Sequence, residues 1–293
     1  MKIKVAAAQY AIGEPEDFSA FAEGVAAQVA VAAGQGAQVV VLPEYLALEA
    51  AAIFDGEVRS DLLRSLDSLQ ALHEDYLALA RELARRHALL LVAGTFLLRM
   101  DSGRYRNRAW IATPQGHLAF QDKLTLTGYE RAAGVLEVGN ELKVFECGFG
   151  RFAVNICYDV EFPLYARAQV EAGAQVLLVP SCTDTAAGAQ RVRLGCRARA
   201  LENPLYVACA VTAGEVPWSP ALDRNTGTAG IYAPIDRGFP DDGVIAQASD
   251  GWAIAEVDLA AFAANAGHAQ VSNGADWPAQ LRPAVRRARV ERL

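Results

Sequence analysis

Two stretches of this chain have nearly the same sequence, and together they constrain the fold more than any other feature. "GAQVVVLPEY" begins at Gly36 and "GAQVLLVPSC" begins at Gly173. In each, a glycine that can end a helix precedes a short apolar run that stops at a proline. Such a run is typical of a strand buried on both faces. The repeat predicts two pseudo-symmetric βαβ halves, each covering one sheet of a sandwich; chance similarity is the alternative.

The remaining apolar segments alternate between strand-like and helix-like patterns. Strands are predicted over 3–10, 37–45, 88–96, 106–112, 117–121, 174–181, 205–211, 228–232 and 252–258. Helices are predicted over 18–33, 59–87, 163–172 and 188–202, where apolar residues recur at helical spacing. A hairpin joined through "GFG" (148–150) indicates that the sheets are mixed rather than purely parallel. The predicted fold class is therefore α/β with two mixed β-sheets.

The composition marks no linker between the two halves, so we predict a single domain over residues 1–260. The segment 261–293 is rich in Ala, Asn and Arg and ends in "RPAVRRARVERL". We predict that it forms a C-terminal arm, which packs on the same domain or on a partner subunit.

Composition and charge argue against several classes of protein. Of the 293 residues, 53% are hydrophobic, which provides a large core and excludes disorder as the main state. The net charge of -7 argues against nucleic acid or an anionic membrane as the principal partner. No segment approaches the length of about 18 uncharged apolar residues that a membrane span needs. The N-terminal apolar stretch is too short for a signal peptide, so we expect a cytoplasmic protein.

The cysteines are odd in number and widely spaced, and they form no CxxC motif. They are Cys147, Cys157, Cys182, Cys196 and Cys209. This pattern supports neither a disulfide framework nor a metal site, so each cysteine has to be judged alone.

Cys157 lies in "RFAVNICYDVEFP" (151–163), at the end of an apolar run. A lone cysteine in this position is usually an inert small hydrophobe. Pro163, however, suits the first turn of a following helix, which would place the thiol near exposed backbone N–H groups. That setting favours the thiolate and predicts an oxyanion site at the N–H of Tyr158. Cys157 is therefore a candidate nucleophile, and an inert thiol is the alternative.

A reactive cysteine needs a base, and the histidines do not provide one. His73, His87, His117 and His268 lie on predicted helices, on a strand and in the tail. A carboxylate has to serve instead, and it needs a raised pKa and therefore an enclosed, largely apolar site. Glu44 is the candidate because it follows the strand "VVVLP" directly. A solvated turn residue is the alternative.

The segment "FQDKLTLTGYE" contains two further charged residues of interest. Lys123 is set among apolar residues and threonines, and Glu130 closes the segment. Taken singly, each residue would be expected to face solvent.

Taken together, "LPEY" at Glu44, "DKLTLTGYE" from Asp122 and "NICYDVEFP" around Cys157 resemble the nitrilase, or carbon–nitrogen hydrolase, superfamily. The order and local contexts agree, and the resemblance extends to about residue 258 and includes "RARALEN" (197–203). It implies an αββα sandwich that pairs through its helices into a homodimer or a larger assembly.

The resemblance also implies a role for each matching residue. Cys157 would be the nucleophile, Glu44 the general base and acid, and Lys123 the cation that stabilises the tetrahedral intermediate. Glu130 would position the substrate and the lysine, although "TGY" precedes it where the family often has Pro-Phe-Gly. No metal or organic cofactor is required.

The residues after the nucleophile indicate the branch within the superfamily. "CYD" resembles the amidase and carbamoylase branches, whereas nitrilases typically have Cys-Trp-Glu. We predict a small linear amide as substrate and cysteine-dependent hydrolysis as the reaction. Carbamoylase or nitrilase activity, a soluble acyltransferase and a non-catalytic scaffold are the alternatives. The residues expected to line the pocket, on position alone, are Tyr129, Tyr158, Glu161 and Thr183.

Basic residues follow on the predicted helix over 188–202: Arg191, Arg193, Arg197 and Arg199. We expect them to face solvent or another subunit, and contact with a substrate carboxylate is the alternative.

Overall fold

Thirteen strands and nine α-helices are present in the computed structural model, counted over the residues that it describes, 1–265 and 267–292. The strands are β1 (Lys2–Ala11), β2 (Val39–Leu42), β3 (Leu90–Arg99), β4 (Tyr105–Ala112), β5 (Leu118–Asp122), β6 (Val144–Cys147), β7 (Gly150–Val154), β8 (Val176–Ser181), β9 (Tyr206–Glu215), β10 (Arg224–Asn225), β11 (Ala229–Tyr232), β12 (Val244–Ala248) and β13 (Gly251–Asp258). The α-helices are α1 (Phe18–Gly34), α2 (Gly56–Arg59), α3 (Leu62–Leu69), α4 (His73–Arg86), α5 (Gly128–Ala133), α6 (Pro163–Glu171), α7 (Ala186–Glu202), α8 (Ala261–Asn265) and α9 (Asn273–Asp276). Short 3-10 helices cover Leu46–Ile53, Gln70–Leu72, Cys157–Glu161, Trp277–Leu281 and Pro283–Val285.

The strands form two mixed sheets that repeat the same arrangement. One has the order β13-β1-β2-β3-β4-β5, and the other has the order β6-β7-β8-β9-β11-β12. In both, successive pairs are antiparallel, parallel, parallel, antiparallel and antiparallel. Residues 9–11 of β1 also pair with 211–213 of β9, so the ladder curls from one sheet into the other. The predicted α/β class with two mixed sheets and pseudo-symmetric halves is confirmed.

The repeated sequence stretches occupy equivalent places in the two sheets. β2 has the parallel neighbours β1 and β3, and β8 has the parallel neighbours β7 and β9. The side-chain oxygen of Gln38 accepts a hydrogen bond from the N–H of Lys4, and that of Gln175 accepts one from the N–H of Arg151, both at 3.2 Å. The pseudo-symmetry therefore extends to side chains, and chance similarity does not explain the repeat.

Helices cover the sheets, while the two sheets meet in an apolar core. α4 packs on β3 and β4, α7 packs on β9 and β11, and β8 contacts β2 and β3 across the core. Buried side chains of β2 and β8, such as Val40 and Leu177, are not exposed at all. Because these central strands are buried on both faces, the residues at their carboxyl ends, Glu44 after β2 and Ser181 at the end of β8, are also buried.

The prediction of one continuous helix over 59–87 is wrong. The segment divides into α2, α3, a 3-10 turn and α4. Asp61 has extended backbone angles, and its side chain accepts a hydrogen bond from the N–H of Arg64, so it begins a new helix. The sequence pattern does not predict β12 either, because its side chains are only half-buried and its hydrophobic pattern is weak.

The C-terminal segment begins on the same domain. The ring of Phe262 lies 4.9 Å from that of Tyr206 and 5.5 Å from that of Phe239. Further along, Val290 is 95% exposed. Residues 266 and 293 of the predicted arm lie outside the described residues. The boundary at residue 260 and a contact with a partner subunit stay predictions. In the described part of the chain, no helix combines the length and the hydropathy needed to cross a membrane.

Glu49 is a buried carboxylic acid in the 3-10 helix Leu46–Ile53, and it is 5% exposed. Burial raises the pKa of its carboxyl to about 7, although hydrogen bonds from Tyr10 and from the N–H of Gly13 oppose the rise. The folded chain therefore keeps a proton that the unfolded chain releases near pH 4.5. It follows that the free energy of unfolding decreases as the pH rises from about 4.5 to about 7.

We expect Glu49→Gln to gain stability relative to the wild-type protein as the pH rises. The variant does not ionise at this position, so its free energy of unfolding, relative to that of the wild-type protein, should be about 2 kcal/mol higher at about pH 8 than at about pH 5. Urea denaturation at both pH values measures the difference. Glu146→Gln, at an exposed position of β6, is the control. An equal effect of Glu49→Gln at both pH values would contradict the prediction.

Candidate active site

Glu44 follows β2 through Pro43, and donors from three segments hold its carboxylate. Its side chain is 1% exposed. Oε1 accepts hydrogen bonds from Lys123 Nζ at 2.8 Å and from Asn107 Nδ2 at 2.8 Å. Oε2 accepts one from the backbone N–H of Cys182 at 3.0 Å. The carboxylate is therefore held in one orientation at the end of a central strand.

Lys123 follows β5 and lies between two buried carboxylates. Its side chain is 2% exposed, and Nζ lies 2.8 Å from both Glu44 Oε1 and Glu130 Oε2. Glu130 is on α5, where it forms a capping box with Thr127. The hydroxyl of Tyr45 donates to Glu130 Oε1 at 2.7 Å. The local helix start thus fixes Glu130, and Glu130 fixes the ammonium group.

Cys157 begins the turn between β7 and α6, and Pro163 occupies the first turn of that helix as predicted. Its thiol donates to the carbonyl oxygen of Cys182 at 3.4 Å and accepts a hydrogen bond from Ser181 Oγ at 3.3 Å. Cys157 has a φ of 47°, in the left-handed region that a residue with a side chain rarely adopts. Strain of this kind is concentrated at functional sites.

Asp159 joins the turn that carries Cys157 to the segment that carries Lys123. Its carboxylate accepts hydrogen bonds from the N–H groups of Leu124 at 3.1 Å, Thr125 at 2.8 Å and Ile156 at 3.3 Å. The side chain is buried, and burial raises the pKa of its carboxyl to about 7, against the effect of Lys123. These hydrogen bonds tie together two segments that are remote in the sequence.

Burial and neighbouring charges shift the pKa of each ionisable group in the site. Burial raises the pKa of Glu44, against the attraction of Lys123 and a hydrogen bond with the Cys157 thiol. Burial opposes the charge on Lys123, but the two carboxylates raise its pKa well above the usual range. Burial likewise opposes ionisation of Glu130, but the ammonium group of Lys123 lowers the pKa of that carboxyl.

The surroundings of Cys157 oppose the thiolate that the turn is expected to favour. Burial, followed by the charge of Glu44, raises the pKa of the Cys157 thiol well above its usual value, and Lys123 only partly opposes this. The thiol is therefore protonated at neutral pH, and a base has to remove its proton.

A cavity of about 270 Å³ connects the predicted site residues. Those that line it are Glu44, Lys123, Glu130 and Cys157, together with Tyr129, Tyr158, Glu161 and Thr183. None of the four histidines, all of which lie in the described part of the chain, lines this cavity; His73, for example, packs its ring 5.0 Å from that of Phe96. The structure thus brings all eight predicted residues to one place, while their roles stay predictions.

Sequence reasoning does not find several residues of the site. Asn107 lies within β4 and has no distinguishing local pattern, so only the fold brings it to Glu44. Cys182 is not a candidate nucleophile from the sequence, yet its backbone contacts both Glu44 and Cys157. The repeat contains a signal for it, because Cys182 and the preceding Ser181 correspond to Tyr45 and Glu44.

The basic residues of α7 have different environments. Arg191 lies on the cavity, where its Nε is 3.3 Å from Glu161 Oε1. Arg197 donates to the carbonyl oxygen of Asp242 at 2.9 Å. Arg199 is buried and donates to the carbonyl oxygen of Val160 at 2.9 Å. The expectation of a solvent-facing row is therefore wrong for Arg199, which supports the turn after Cys157.

Comparison with known proteins agrees with this fold. The carbon-nitrogen hydrolase family model matches residues 4–262. The probable hydrolase YhcX of Bacillus subtilis is 30% identical over 245 residues, which are 84% of this chain and 47% of YhcX. This chain therefore spans about half the length of that relative. The omega-amidase NIT2 of Danio rerio is 30% identical over 234 residues, which are 72% of this chain and 80% of NIT2.

A solved structure shows the same fold. The crystal structure of Saccharomyces cerevisiae Nit3, a member of branch 10 of the nitrilase superfamily, aligns with a TM-score of 0.72 and 23% identity. The alignment covers 92% of this chain and 95% of Nit3. The resemblance inferred from the sequence is thereby confirmed. Since the family model covers nearly all of the sandwich and every segment of the site, this chain belongs to the carbon-nitrogen hydrolase family.

Proposed function

We propose that the protein hydrolyses the C–N bond of a small linear amide through a cysteine thioester and releases ammonia or an amine. One observation carries the proposal: a single residue, Cys182, connects base and nucleophile through its backbone. Its N–H donates to Glu44 at 3.0 Å, and its carbonyl oxygen accepts from the Cys157 thiol at 3.4 Å. The carboxylate and the thiol are thus held beside the same short segment, where a proton can pass between them.

In the acylation half of the proposed reaction, Glu44 takes the thiol proton while the sulfur attacks the amide carbonyl. The raised pKa of Glu44 suits this transfer, since a carboxylate with an ordinary pKa is too weak a base. The carbonyl π electrons move to the oxygen, and Lys123 and the N–H of Tyr158 stabilise the oxyanion. As the C–N bond breaks, Glu44 gives its proton to the departing nitrogen and a thioester remains on Cys157.

In the deacylation half, Glu44 takes a proton from a water molecule, and the resulting hydroxide attacks the thioester. The C–S bond breaks, the acid leaves, and the thiol recovers the proton from Glu44. One carboxylate thus works as base and acid in each half. Water is the only co-reactant, and the proposed reaction requires neither a metal nor an organic cofactor.

The arrangement of charges links the proton transfer to stabilisation of the oxyanion. While Glu44 is ionised, Lys123 Nζ contacts both Glu44 and Glu130 at 2.8 Å. When Glu44 accepts the thiol proton, its attraction for the Lys123 ammonium group weakens. An N–H of Lys123 then becomes available to donate to the oxyanion. Glu130, whose pKa is lowered, stays ionised and keeps Lys123 in place.

A substrate panel of linear amides, carbamoyl amines and nitriles tests the proposal. Ammonia or amine release is followed by a coupled assay, and the acyl-enzyme is trapped by acid quench and detected by intact mass. Peptide mapping then assigns the adduct to Cys157 or to Cys182. Turnover of an amide with the adduct on Cys157 is expected. The absence of any adduct, together with resistance of Cys157 to iodoacetamide, would favour a non-catalytic scaffold instead.

The same panel separates amide hydrolysis from acyl transfer and from carbamoylase or nitrilase activity. Adding a primary amine distinguishes transfer to an amine from hydrolysis, because an acyltransferase forms the new amide in preference to the acid. Preferred turnover of a carbamoyl amine would place the protein among the carbamoylases, and preferred turnover of a nitrile would place it among the nitrilases. The homodimer and the cytoplasmic location stay predictions.

A further inference from the structure

The cavity of the proposed active site carries charges that the reaction does not use. Glu161 is the last residue of the 3-10 turn that begins with Cys157, and its side chain is 22% exposed. Arg191 lies beside it, with Nε at 3.3 Å from Glu161 Oε1, and is itself 61% exposed. Asp184, Asp223 and Arg224 are exposed residues that also line the cavity. These five residues line the same cavity as Cys157.

The balance of charge around the cavity is negative. Five carboxylates face three cations: Glu44, Glu130, Glu161, Asp184 and Asp223 against Lys123, Arg191 and Arg224. The balance stays negative when Glu44 accepts the thiol proton. The reaction itself involves only Glu44, Glu130 and Lys123, so the remaining charges act on whatever extends from the amide.

We propose that the substrate is an amide whose remote end carries a protonated amine, and that Glu161 is the residue that selects it. This inference rests on the proposed function, because it assumes that the amide carbon lies at Cys157. The amide of a dicarboxylic acid would place its free carboxylate in the same cavity as Glu161 and the two aspartates, whose three negative charges outnumber the two positive charges of Arg191 and Arg224. A neutral alkyl amide would gain nothing from them.

The position of Glu161 supports this selection. One 3-10 turn separates it from Cys157, so it lies on the wall of the cavity rather than beyond it. A volume of about 270 Å³ admits only a small acyl group, which keeps the charges close to one another. Arg191 orients Glu161 through their ion pair. Because Arg191 is mostly exposed, it can turn into solvent when an ammonium group takes its place.

Three amides of matched length test the proposal: ω-aminovaleramide, hexanamide and the monoamide of adipic acid. kcat/KM is measured for each at low ionic strength. We expect the cationic amide to be preferred to the neutral one by about fivefold, the size of a partly exposed ion pair, and the anionic amide to be the poorest. In Glu161→Gln this preference, measured as the ratio of kcat/KM for the cationic amide to kcat/KM for hexanamide, should fall to about one.

Glu146→Gln is the matched control, since it removes the same charge and the same kind of ion pair. Glu146 Oε2 lies 3.1 Å from Arg151 Nε, on a strand remote from the cavity. The Glu146→Gln variant should prefer the cationic amide as strongly as the wild-type protein does. A wild-type preference for the anionic amide, or an unchanged preference in Glu161→Gln, would overturn the proposal. Failure to hydrolyse any of the three amides would instead count against the proposed function.

Discussion

Replacing Cys157 by alanine is expected to reduce amide hydrolysis by at least about 10,000-fold, to the background of the assay, and to abolish the acyl-enzyme mass. Without the thiol no thioester forms, and Glu44 and Lys123 have no attacking atom to assist. The fold should tolerate the change, because the side chain is small and the turn around it is held by Asp159. Ammonia release, intact mass and the temperature of unfolding measure the three consequences.

Cys182→Ala is the matched control, because it removes the other thiol of the same cavity. Burial, with a further contribution from Glu44, raises the pKa of the Cys182 thiol to about 12, so it is protonated at neutral pH. Cys182 contributes its backbone N–H and carbonyl oxygen to the site, and alanine retains both. The variant should keep turnover within about threefold of the wild-type rate. Full turnover in Cys157→Ala, or its loss in Cys182→Ala alone, would contradict the assignment of the nucleophile.

Replacing Lys123 by methionine is expected to reduce both catalysis and stability. The oxyanion would lose its cationic partner, which corresponds to a loss of about 100- to 1,000-fold in kcat. Glu44 and Glu130 would be left together without a counter-charge at 1% exposure each. Removing one partner of a buried charged network typically costs about 3–5 kcal/mol of unfolding free energy. Steady-state kinetics and urea denaturation measure the two effects.

Lys143→Met serves as the control for Lys123→Met. Lys143 Nζ lies 3.2 Å from Glu141 Oε2 and the side chain is 26% exposed, so its removal should cost about 1 kcal/mol or less and leave turnover unchanged. The double variant Lys123→Met with Glu44→Gln removes a buried carboxylate as well, and should regain stability without regaining activity. Retention of more than about a tenth of the wild-type kcat in Lys123→Met would show that another group stabilises the oxyanion.

The elements that follow from local chemistry were predictable. The runs that form β2 and β8 are apolar throughout and leave no alternative to burial, and Pro163 begins α6 as its fixed φ favours. The segment 59–87 was not predictable as four pieces, because its apolar spacing remains helical across both the cap at Asp61 and the 3-10 turn Gln70–Leu72. Hydrophobic periodicity reports which face is buried and carries little information on where a helix stops.

The candidate site likewise has residues that could be predicted from the sequence and contacts that could not. Glu44, Lys123 and Cys157 could be singled out because their three motifs occur in the order and local contexts of the carbon–nitrogen hydrolase family. Their contacts could not be inferred from the sequence, since Lys123 and Glu44 are 79 positions apart and Cys182 and Glu44 are 138 positions apart. Asn107 had no local signal at all, because an asparagine within a strand is unremarkable until its partner is known.

By itself, the sequence determined the family, the α/β class, the repeat and the three charged or nucleophilic residues that mark the strand ends. Only the tertiary structure decided that these residues share one cavity, that burial and Glu44 keep the Cys157 thiol protonated, and that Glu161 faces the same space. The physical reason is the range of the forces involved. Strand and helix formation depend on neighbours a few residues away, whereas pKa values and the charge that a substrate meets depend on burial and on groups a few ångströms away in space, which distant segments supply.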